Sequence, residues 1–214
     1  MKNENIGIAK EGYPFILLCA LSALICGLVG FRLCSLLFLF GTWFSCFFFR
    51  DPERVLPSKE GSAVSPADGK IIKITSAYDP YTNQEAMLVS IFMNVFNVHV
   101  NRSPIASTIE DITYHEGMFL NASWDKASTD NERCMYSLKA IDGTHWTMIQ
   151  ISGLIARRIV CRVGVGDSLE RGERYGLIRF GSRVDVYIPK EYTPSVAIGD
   201  VVFAGQSILA TKNI

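Results

Sequence analysis

Hydrophobic and polar positions follow two different patterns along the 214-residue chain. Residues 14–49 are almost continuously apolar, and Arg32 is the only charged residue among these 36. After this run, short segments rich in valine and isoleucine alternate with turn-forming residues. The first pattern is typical of membrane-associated helices and the second of short β-strands. We therefore expect an apolar helical hairpin within residues 1–49 and a β domain over residues 50–214.

Arg32 divides the apolar run into stretches of 18 and 17 residues, residues 14–31 and 33–49. As helices these stretches measure roughly 26 Å, slightly less than a bilayer core, so two short spans and a re-entrant hairpin both fit. A cleaved signal peptide is disfavoured by the length of the run, and a buried hairpin of a soluble protein by its cluster of aromatic residues. Basic residues flank both ends of the run (Lys2, Lys10, Arg50, Arg54, Lys59), which predicts that both ends face the cytoplasm.

The remaining residues predict a mainly β fold, an antiparallel β-sandwich or barrel-like domain with few short helices. Turn signals include the Pro-Ala-Asp-Gly segment at residues 66–69 and the Asp-Gly pair at 142–143. The expected strands are Lys70–Thr75, Met87–Phe92, Ile109–Tyr114, His145–Ile151, Ile159–Val165, Arg183–Ile188 and Val201–Ala210.

Charge and cysteine content narrow the possible functions. Lysine and arginine number 21 and aspartate and glutamate also number 21, so no overall positive field attracts nucleic acid, and we expect no nucleic-acid partner. Four of the six cysteines lie in the apolar run, where they behave as small hydrophobic residues. Cys134 and Cys161 have no second cysteine or histidine at metal-ligand spacing, so we expect no metal site.

Three segments of the β domain carry candidate chemistry, although each also has an ordinary structural interpretation. His99 lies where an apolar strand ends in a polar turn, a common place for catalytic groups. Asp68 lies in the turn before a predicted strand. The Gly181-Ser182 pair interrupts a strand, and a glycine there permits the strain that attack by the serine hydroxyl on the preceding carbonyl requires. A neutral His99 oriented by Asp68 could act as the base for this attack.

Together these motifs resemble the short, prokaryotic form of phosphatidylserine decarboxylase, over essentially the whole chain. The motifs are Ser-Pro-Ala-Asp-Gly (65–69), Phe-Asn-Val-His-Val-Asn-Arg-Ser-Pro (96–104) and Arg-Phe-Gly-Ser-Arg-Val-Asp-Val (179–186), with supporting segments at 49–54, 117–123 and 130–133. The resemblance implies a proenzyme that cuts itself between Gly181 and Ser182 and converts Ser182 to a pyruvoyl group. It also implies that His99 and Asp68 serve self-cleavage.

The resemblance further implies two chains, a β chain of residues 1–181 and an α chain of residues 182–214, held together as a heterodimer. Its substrate is phosphatidylserine in the membrane, and its product is phosphatidylethanolamine. The pyruvoyl carbonyl acts as the electron sink for decarboxylation. We expect the protein at the cytoplasmic membrane, with its catalytic domain facing the cytoplasm, and a homo-oligomer is left open.

One position departs from the family pattern. Longer family members carry a histidine three residues before the self-cleavage histidine and assign it to decarboxylation, whereas this chain has Phe96 there. The proton donor for decarboxylation is therefore open between His99, His115, water and the substrate itself. His115 is also a candidate substrate-binding residue. His145, beside Trp146, is expected to be structural.

Three alternative functions use the same features. A membrane-anchored Ser/His/Asp hydrolase is one, but Ser182 lacks the Gly-x-Ser-x-Gly elbow that such enzymes share. A noncatalytic β carrier or adaptor module is another, because it would keep the same turns for structural reasons. A pyruvoyl-dependent lyase that acts on a soluble amino acid is the third, and the apolar hairpin disfavours it.

Overall fold

The computed structural model describes residues 7–154, 158–179 and 181–213. By its internal contacts the chain divides into two compact units, Met1–Glu53 and Arg54–Ile214. The first unit is helical and the second is mainly β.

The first unit is an antiparallel pair of apolar helices, α1 (Tyr13–Val29) and α2 (Arg32–Phe48), after a 3-10 turn at Lys10–Gly12. Gly30 ends α1 in the left-handed conformation, at φ 91°, which a residue with a side chain rarely adopts. The Ser35 hydroxyl donates a hydrogen bond of 2.8 Å to the carbonyl of Ala23 and links the two helices. These helices confirm the predicted hairpin.

The outer faces of this hairpin are apolar. The helical segment Lys10–Val29 is long and apolar enough to cross a membrane, whereas α2 has only 17 residues. Large apolar side chains that are more than half exposed occur on both helices: Leu17, Leu18, Leu21, Leu24, Leu28, Leu33, Leu36, Leu37, Phe40 and Trp43. Because a soluble helix buries such a face, this surface is suited to a lipid environment.

The second unit is built from short strands and one short helix, α3 (Ala127–Asp130). The strands are β1 (Ser62–Val64), β2 (Gly69–Tyr78), β3 (Glu85–Met93), β4 (Val100–Arg102), β5 (Ser107–His115), β6 (Arg133–Ala140), β7 (His145–Ser152), β8 (Ile159–Cys161), β9 (Ser168–Leu169), β10 (Arg174–Ile178), β11 (Ser182–Pro189), β12 (Tyr192–Pro194), β13 (Val201–Val202) and β14 (Ile208–Lys212).

Within the described residues these strands form a curled eight-stranded sheet in the order β13-β2-β3-β11-β7-β6-β5-β9. Two smaller sheets have the orders β1-β14-β12 and β4-β10-β8. The pairings between these strands are antiparallel. This half-barrel of antiparallel strands confirms the predicted mainly β, barrel-like fold.

The core includes buried residues from strands β2, β3, β6, β7 and β11 of the large sheet, and it contains aromatic pairs. The rings of Trp146 and Tyr192 meet edge to face at 4.9 Å, and those of Tyr136 and Tyr175 at 5.0 Å. Strand β11 is buried along nearly its whole length because it lies in the middle of the sheet.

Two predicted strand boundaries are wrong. The run Val201–Ala210 is two strands, β13 and β14, because Gly205 turns the chain at φ 73° between them. The strand that begins at Ile159 ends at Cys161, before the turn in which the Asp167 carboxylate accepts a hydrogen bond from the backbone at Gly164. Strand β6 was not among the predicted strands, and neither were the short strands β1, β4, β9, β10 and β12.

A buried ion pair fixes the beginning of β11. The Arg183 guanidinium donates to both carboxylate oxygens of Asp185, at 2.6 and 2.8 Å, and to the Ser90 hydroxyl at 3.0 Å. Both charged residues are at most 1% exposed. Side chains two residues apart on a strand share a face, which explains how one strand supplies both partners.

Replacing Asp185 with asparagine should destabilise the protein by about 3–5 kcal/mol, because it leaves the Arg183 charge buried without its counter-ion. Urea unfolding of the full chain measures the change. Asp125→Asn is the matched control, because Asp125 pairs with Lys73 at the surface and its side chain is 82% exposed. Equal unfolding midpoints for the two variants would contradict a structural role for the buried pair.

Candidate active site

Ser182 is the first residue of β11 and lies between two strands of the large sheet. Its register partners are Met93 on β3 and Ser152 on β7. The residue is fully buried, and its hydroxyl donates to the thioether sulfur of Met93 across 3.4 Å. A thioether is a weak acceptor, so the hydroxyl is oriented without a strong hydrogen bond.

The carbonyl before Ser182 belongs to Gly181, which adopts φ 57°. Its oxygen packs directly against the Gly153 backbone, at the end of β7. A Cβ atom at residue 153 would lie 2.0 Å from this oxygen and 3.0 Å from the carbonyl carbon. Since no side chain fits in that space, the 181–182 peptide bond reaches its position only because residue 153 is glycine.

His99 is fully buried and directly precedes β4. Its Nδ1 lies 2.9 Å from the carbonyl oxygen of Asn97. A carbonyl only accepts hydrogen bonds, so Nδ1 carries the proton, and in the neutral ring Nε2 keeps the lone pair that a base needs. Two residues further along, Asn101 donates to the same Met93 sulfur that the Ser182 hydroxyl contacts, so this segment runs close to Ser182.

Asp68 lies in the turn that precedes β2 and is almost fully buried. One carboxylate oxygen accepts from the Arg54 guanidinium at 2.9 Å, and the other accepts from the backbone nitrogen of Ala204 at 2.8 Å. These two contacts orient the carboxylate. The predicted contact between Asp68 and the His99 ring stays a prediction.

His115 and His145 lie away from Ser182. His115 ends β5, and the register continues through Arg133 and Ile151 to Arg183, the neighbour of Ser182. Three strand spacings separate the two ends of this row, roughly 14 Å along the sheet. His145 pairs with Glu110 at 3.0 Å. The structure therefore does not bring His115 to Ser182, and its substrate-binding role stays a prediction.

A group of buried polar residues near Ser182 was missed by the sequence analysis. Asn101 and Gln150 are fully buried amides, and their side chains are hydrogen-bonded to each other at 2.7 Å. Tyr136 donates to Gln150, also at 2.7 Å. The available signal was an amide inside an apolar strand, as in Met-Ile-Gln-Ile at residues 148–151. Burying such a group without a partner is costly, so its presence indicates a network.

Cys134 and Cys161 are brought together although they are 27 positions apart in sequence. A hydrogen bond between the two thiols lowers the pKa of Cys161 to about 6 and, together with burial, raises that of Cys134. Among the residues that the structure describes, no group of three or more histidine, cysteine or acidic side chains could hold a metal ion. The pair therefore has no further ligand within the described chain.

Comparison with known proteins identifies the family to which the chain belongs. A family profile described as phosphatidylserine decarboxylase matches residues 41–210. The chain belongs to the phosphatidylserine decarboxylase family. Ser182, Gly181, His99 and Asp68 all lie within the matched range, and so do Gly153 and the buried amides.

Close relatives extend the match to the whole chain. Phosphatidylserine decarboxylase proenzymes from Nitratidesulfovibrio vulgaris and Oleidesulfovibrio alaskensis are each 58% identical to it. The alignments cover 100% and 99% of this chain and 98% and 97% of the relatives. A phosphatidylserine decarboxylase proenzyme from Burkholderia multivorans is 49% identical, over 95% of both chains. The alignments with the first two relatives therefore also cover the residues of the apolar hairpin.

Proposed function

We propose that this chain decarboxylates phosphatidylserine to phosphatidylethanolamine with a pyruvoyl group that it makes from its own Ser182. Membership of the phosphatidylserine decarboxylase family supports the lyase activity and the proenzyme state. The observation that supports the residue assignment is the junction at residues 181–182. There a buried hydroxyl directly follows a glycine carbonyl that is packed against Gly153.

Self-cleavage begins when the Ser182 hydroxyl gives its proton to a base and attacks the Gly181 carbonyl carbon. The amide nitrogen takes a proton and leaves, so an ester replaces the peptide bond. Removal of the Ser182 Cα proton then expels the Gly181 carboxylate, which keeps the serine oxygen. The dehydroalanine that remains tautomerises, and water releases ammonia to give the pyruvoyl group at residue 182.

His99 is the base in this proposal. Its Nδ1 is occupied by the Asn97 carbonyl, which leaves Nε2 as the nitrogen that accepts a proton. Asp68, held by Arg54, would favour the protonated imidazole that forms during attack, as a buried carboxylate does in serine hydrolases. This division of work needs His99 neutral before the attack.

The surroundings of Ser182 fit a pyruvoyl group. The residue is fully buried beside the Met93 sulfur and the side chain of Asn101, so Met93 and Asn101 would line the group. The carbonyl of the group supplies an electron sink for the carbanion left when CO2 departs from the serine headgroup. A buried site also favours loss of the charged carboxylate, because that carboxylate is poorly solvated there.

The two chains should stay together after cleavage. Residues 182–214 supply β11 between β3 and β7, β13 beside β2, and β14 beside β1. Each of these partner strands belongs to residues 1–181. Because four strand pairings join the two pieces through backbone hydrogen bonds, we expect a stable heterodimer.

The substrate implies a membrane-associated enzyme. In the β unit, Phe96 lies three residues after Met93 and Leu154 two residues after Ser152, so both lie near the Ser182 end of the sheet. Their side chains are 64% and 69% exposed. We propose that this apolar rim faces the lipid surface, that the apolar hairpin anchors the chain, and that the β unit lies on the cytoplasmic side.

The first experiment follows processing in Ser182→Ala, His99→Ala and Asp68→Asn variants by denaturing electrophoresis and intact mass. The wild-type chain should yield pieces of 181 and 33 residues, the smaller without a free amino terminus. Ser182→Ala should stay uncut and inactive because it has no attacking oxygen. The His99 and Asp68 variants should cut on the order of a hundredfold or more slowly, because the nucleophile lacks its activated base.

This experiment separates a self-cleaving enzyme from two of the alternatives, the hydrolase and the noncatalytic module. A hydrolase or a noncatalytic module leaves the wild-type chain at 214 residues. Normal processing in His99→Ala would assign the base to another group. An active Ser182→Ala enzyme would exclude the pyruvoyl mechanism.

Gly153→Ala should slow self-cleavage roughly a hundredfold, because the new methyl group displaces the Gly181 carbonyl from its attack position. Gly164→Ala is the matched control, since a Cβ there meets only the Asp167 carboxylate, at 3.8 Å. Time courses of cleavage and thermal unfolding curves are compared for the two variants. Processing of Gly153→Ala at the wild-type rate would show that the close approach does not matter.

Deleting residues 1–49 should leave a β unit that cuts itself but turns over phosphatidylserine in vesicles slowly. Self-cleavage needs residues of the β unit alone, whereas capture of a bilayer lipid needs the apolar hairpin. Turnover of a short-chain, soluble phosphatidylserine serves as the control and should be retained. Full activity of the truncated chain on vesicles would remove the anchoring role from the hairpin.

A further inference from the structure

We propose that Tyr136, Gln150, Asn101 and Met93 form a buried relay that positions the Ser182 hydroxyl for self-cleavage. The inference rests on the proposed function and adds to it a set of positioning residues. None of the four is a base or a nucleophile in the reaction. Their task is to hold one sulfur atom, and through it one oxygen atom, in place.

The relay is a continuous series of hydrogen bonds. The Tyr136 hydroxyl is 2.7 Å from Gln150 Oε1, and Gln150 Nε2 is 2.7 Å from Asn101 Oδ1. Asn101 Nδ2 is 3.7 Å from the Met93 sulfur, and the Ser182 hydroxyl is 3.4 Å from the same sulfur. The series crosses from β6 through β7 and β4 to β3 and ends on β11.

The direction of the series is fixed by its sulfur atom. A thioether accepts hydrogen bonds but cannot donate them, so the Asn101 amide must turn its nitrogen toward Met93. Its oxygen then faces Gln150, which must donate from nitrogen. The remaining Gln150 oxygen accepts from Tyr136, whose hydroxyl has to be the donor. All the donors therefore point toward the Met93 sulfur, from Tyr136, Gln150 and Asn101 on one side and from Ser182 on the other.

Complete burial fixes the orientation of both amide side chains. The five residues of the series are fully buried, so a wrong amide orientation would leave buried polar atoms without partners. The energetic cost of such unpartnered buried atoms favours the single orientation in which every one of them is hydrogen-bonded. A fully satisfied buried network also rigidifies the side chains that it joins.

Met93 needs such support because its side chain is flexible. Methionine has three rotatable side-chain bonds and adapts its shape to its neighbours. Two donors, Asn101 and Ser182, converge on the sulfur and limit where it can lie. The weak bond to sulfur then orients the Ser182 hydroxyl without burying its lone pairs in a strong interaction, so the oxygen stays available for attack.

The test measures the rate constant of self-cleavage in four full-length variants made by cell-free synthesis with liposomes. Met93→Leu removes the sulfur at similar volume, and Tyr136→Phe removes the distal hydroxyl. The double variant combines them. Tyr175→Phe is the matched control, because the Tyr175 hydroxyl is buried beside Tyr136 without a hydrogen-bond partner in the described chain.

Met93→Leu should cut roughly three- to tenfold more slowly than wild type, which corresponds to the loss of one modest hydrogen bond. Tyr136→Phe should also slow cleavage, by a smaller factor, and Tyr175→Phe should leave it unchanged. The deciding result is the double variant. If Tyr136 acts through Met93, Tyr136→Phe causes no further slowing once residue 93 is leucine, while its effect on thermal unfolding remains.

Other results overturn the relay. A wild-type cleavage rate in Met93→Leu would overturn it. Equal slowing by Tyr136→Phe with methionine or leucine at residue 93 would also overturn it, because equal slowing indicates general destabilisation. If Met93→Leu does not unfold cooperatively, the comparison of Tyr136→Phe with Tyr175→Phe decides, and equal rates reject the relay. A wild-type chain that never cuts rejects the proposed function itself, whereas normal cutting in all four variants rejects the relay alone.

Discussion

Strand β11 lies between β3 and β7 in the middle of the large sheet, and the chemistry of the chain depends on this pairing. The two neighbouring strands set the register of Ser182 against Met93 and Ser152. They also bring the end of β7 against the Gly181 carbonyl. A serine at an exposed turn would exchange its contacts with water, whereas this one is held by backbone hydrogen bonds on both sides.

Burial at this end of the sheet requires a partner for each polar group, and the partners organise the site. Asp68 is paired with Arg54, Arg183 with Asp185, and the amides of Asn101 and Gln150 with each other. Such satisfied pairs keep neighbouring side chains in one arrangement. The same packing would let the proposed cut before Ser182 leave the fold intact, because β11 would keep both neighbours.

Much of the fold could be predicted from local patterns. The apolar hairpin and most strands follow from runs of apolar residues between turns, which depend only on nearby sequence. Strand β6 was not predicted, because its continuous apolar run, Cys134 to Tyr136, is only three residues long. The division into β13 and β14 depends on Gly205 and on the contact of Ala204 with Asp68, a residue more than 130 positions away.

The sequence by itself determined the family, because motifs around Asp68, His99 and Ser182 occur in one order in a short chain with an apolar beginning. It could not show that Gly153 lies against the Gly181 carbonyl, or that the Asn97 carbonyl occupies one nitrogen of His99. Nor could it show that Tyr136, Gln150 and Met93 belong to one hydrogen-bonded network. These contacts link residues that are distant in sequence or depend on side-chain orientation, and only strand pairing and core packing fix both.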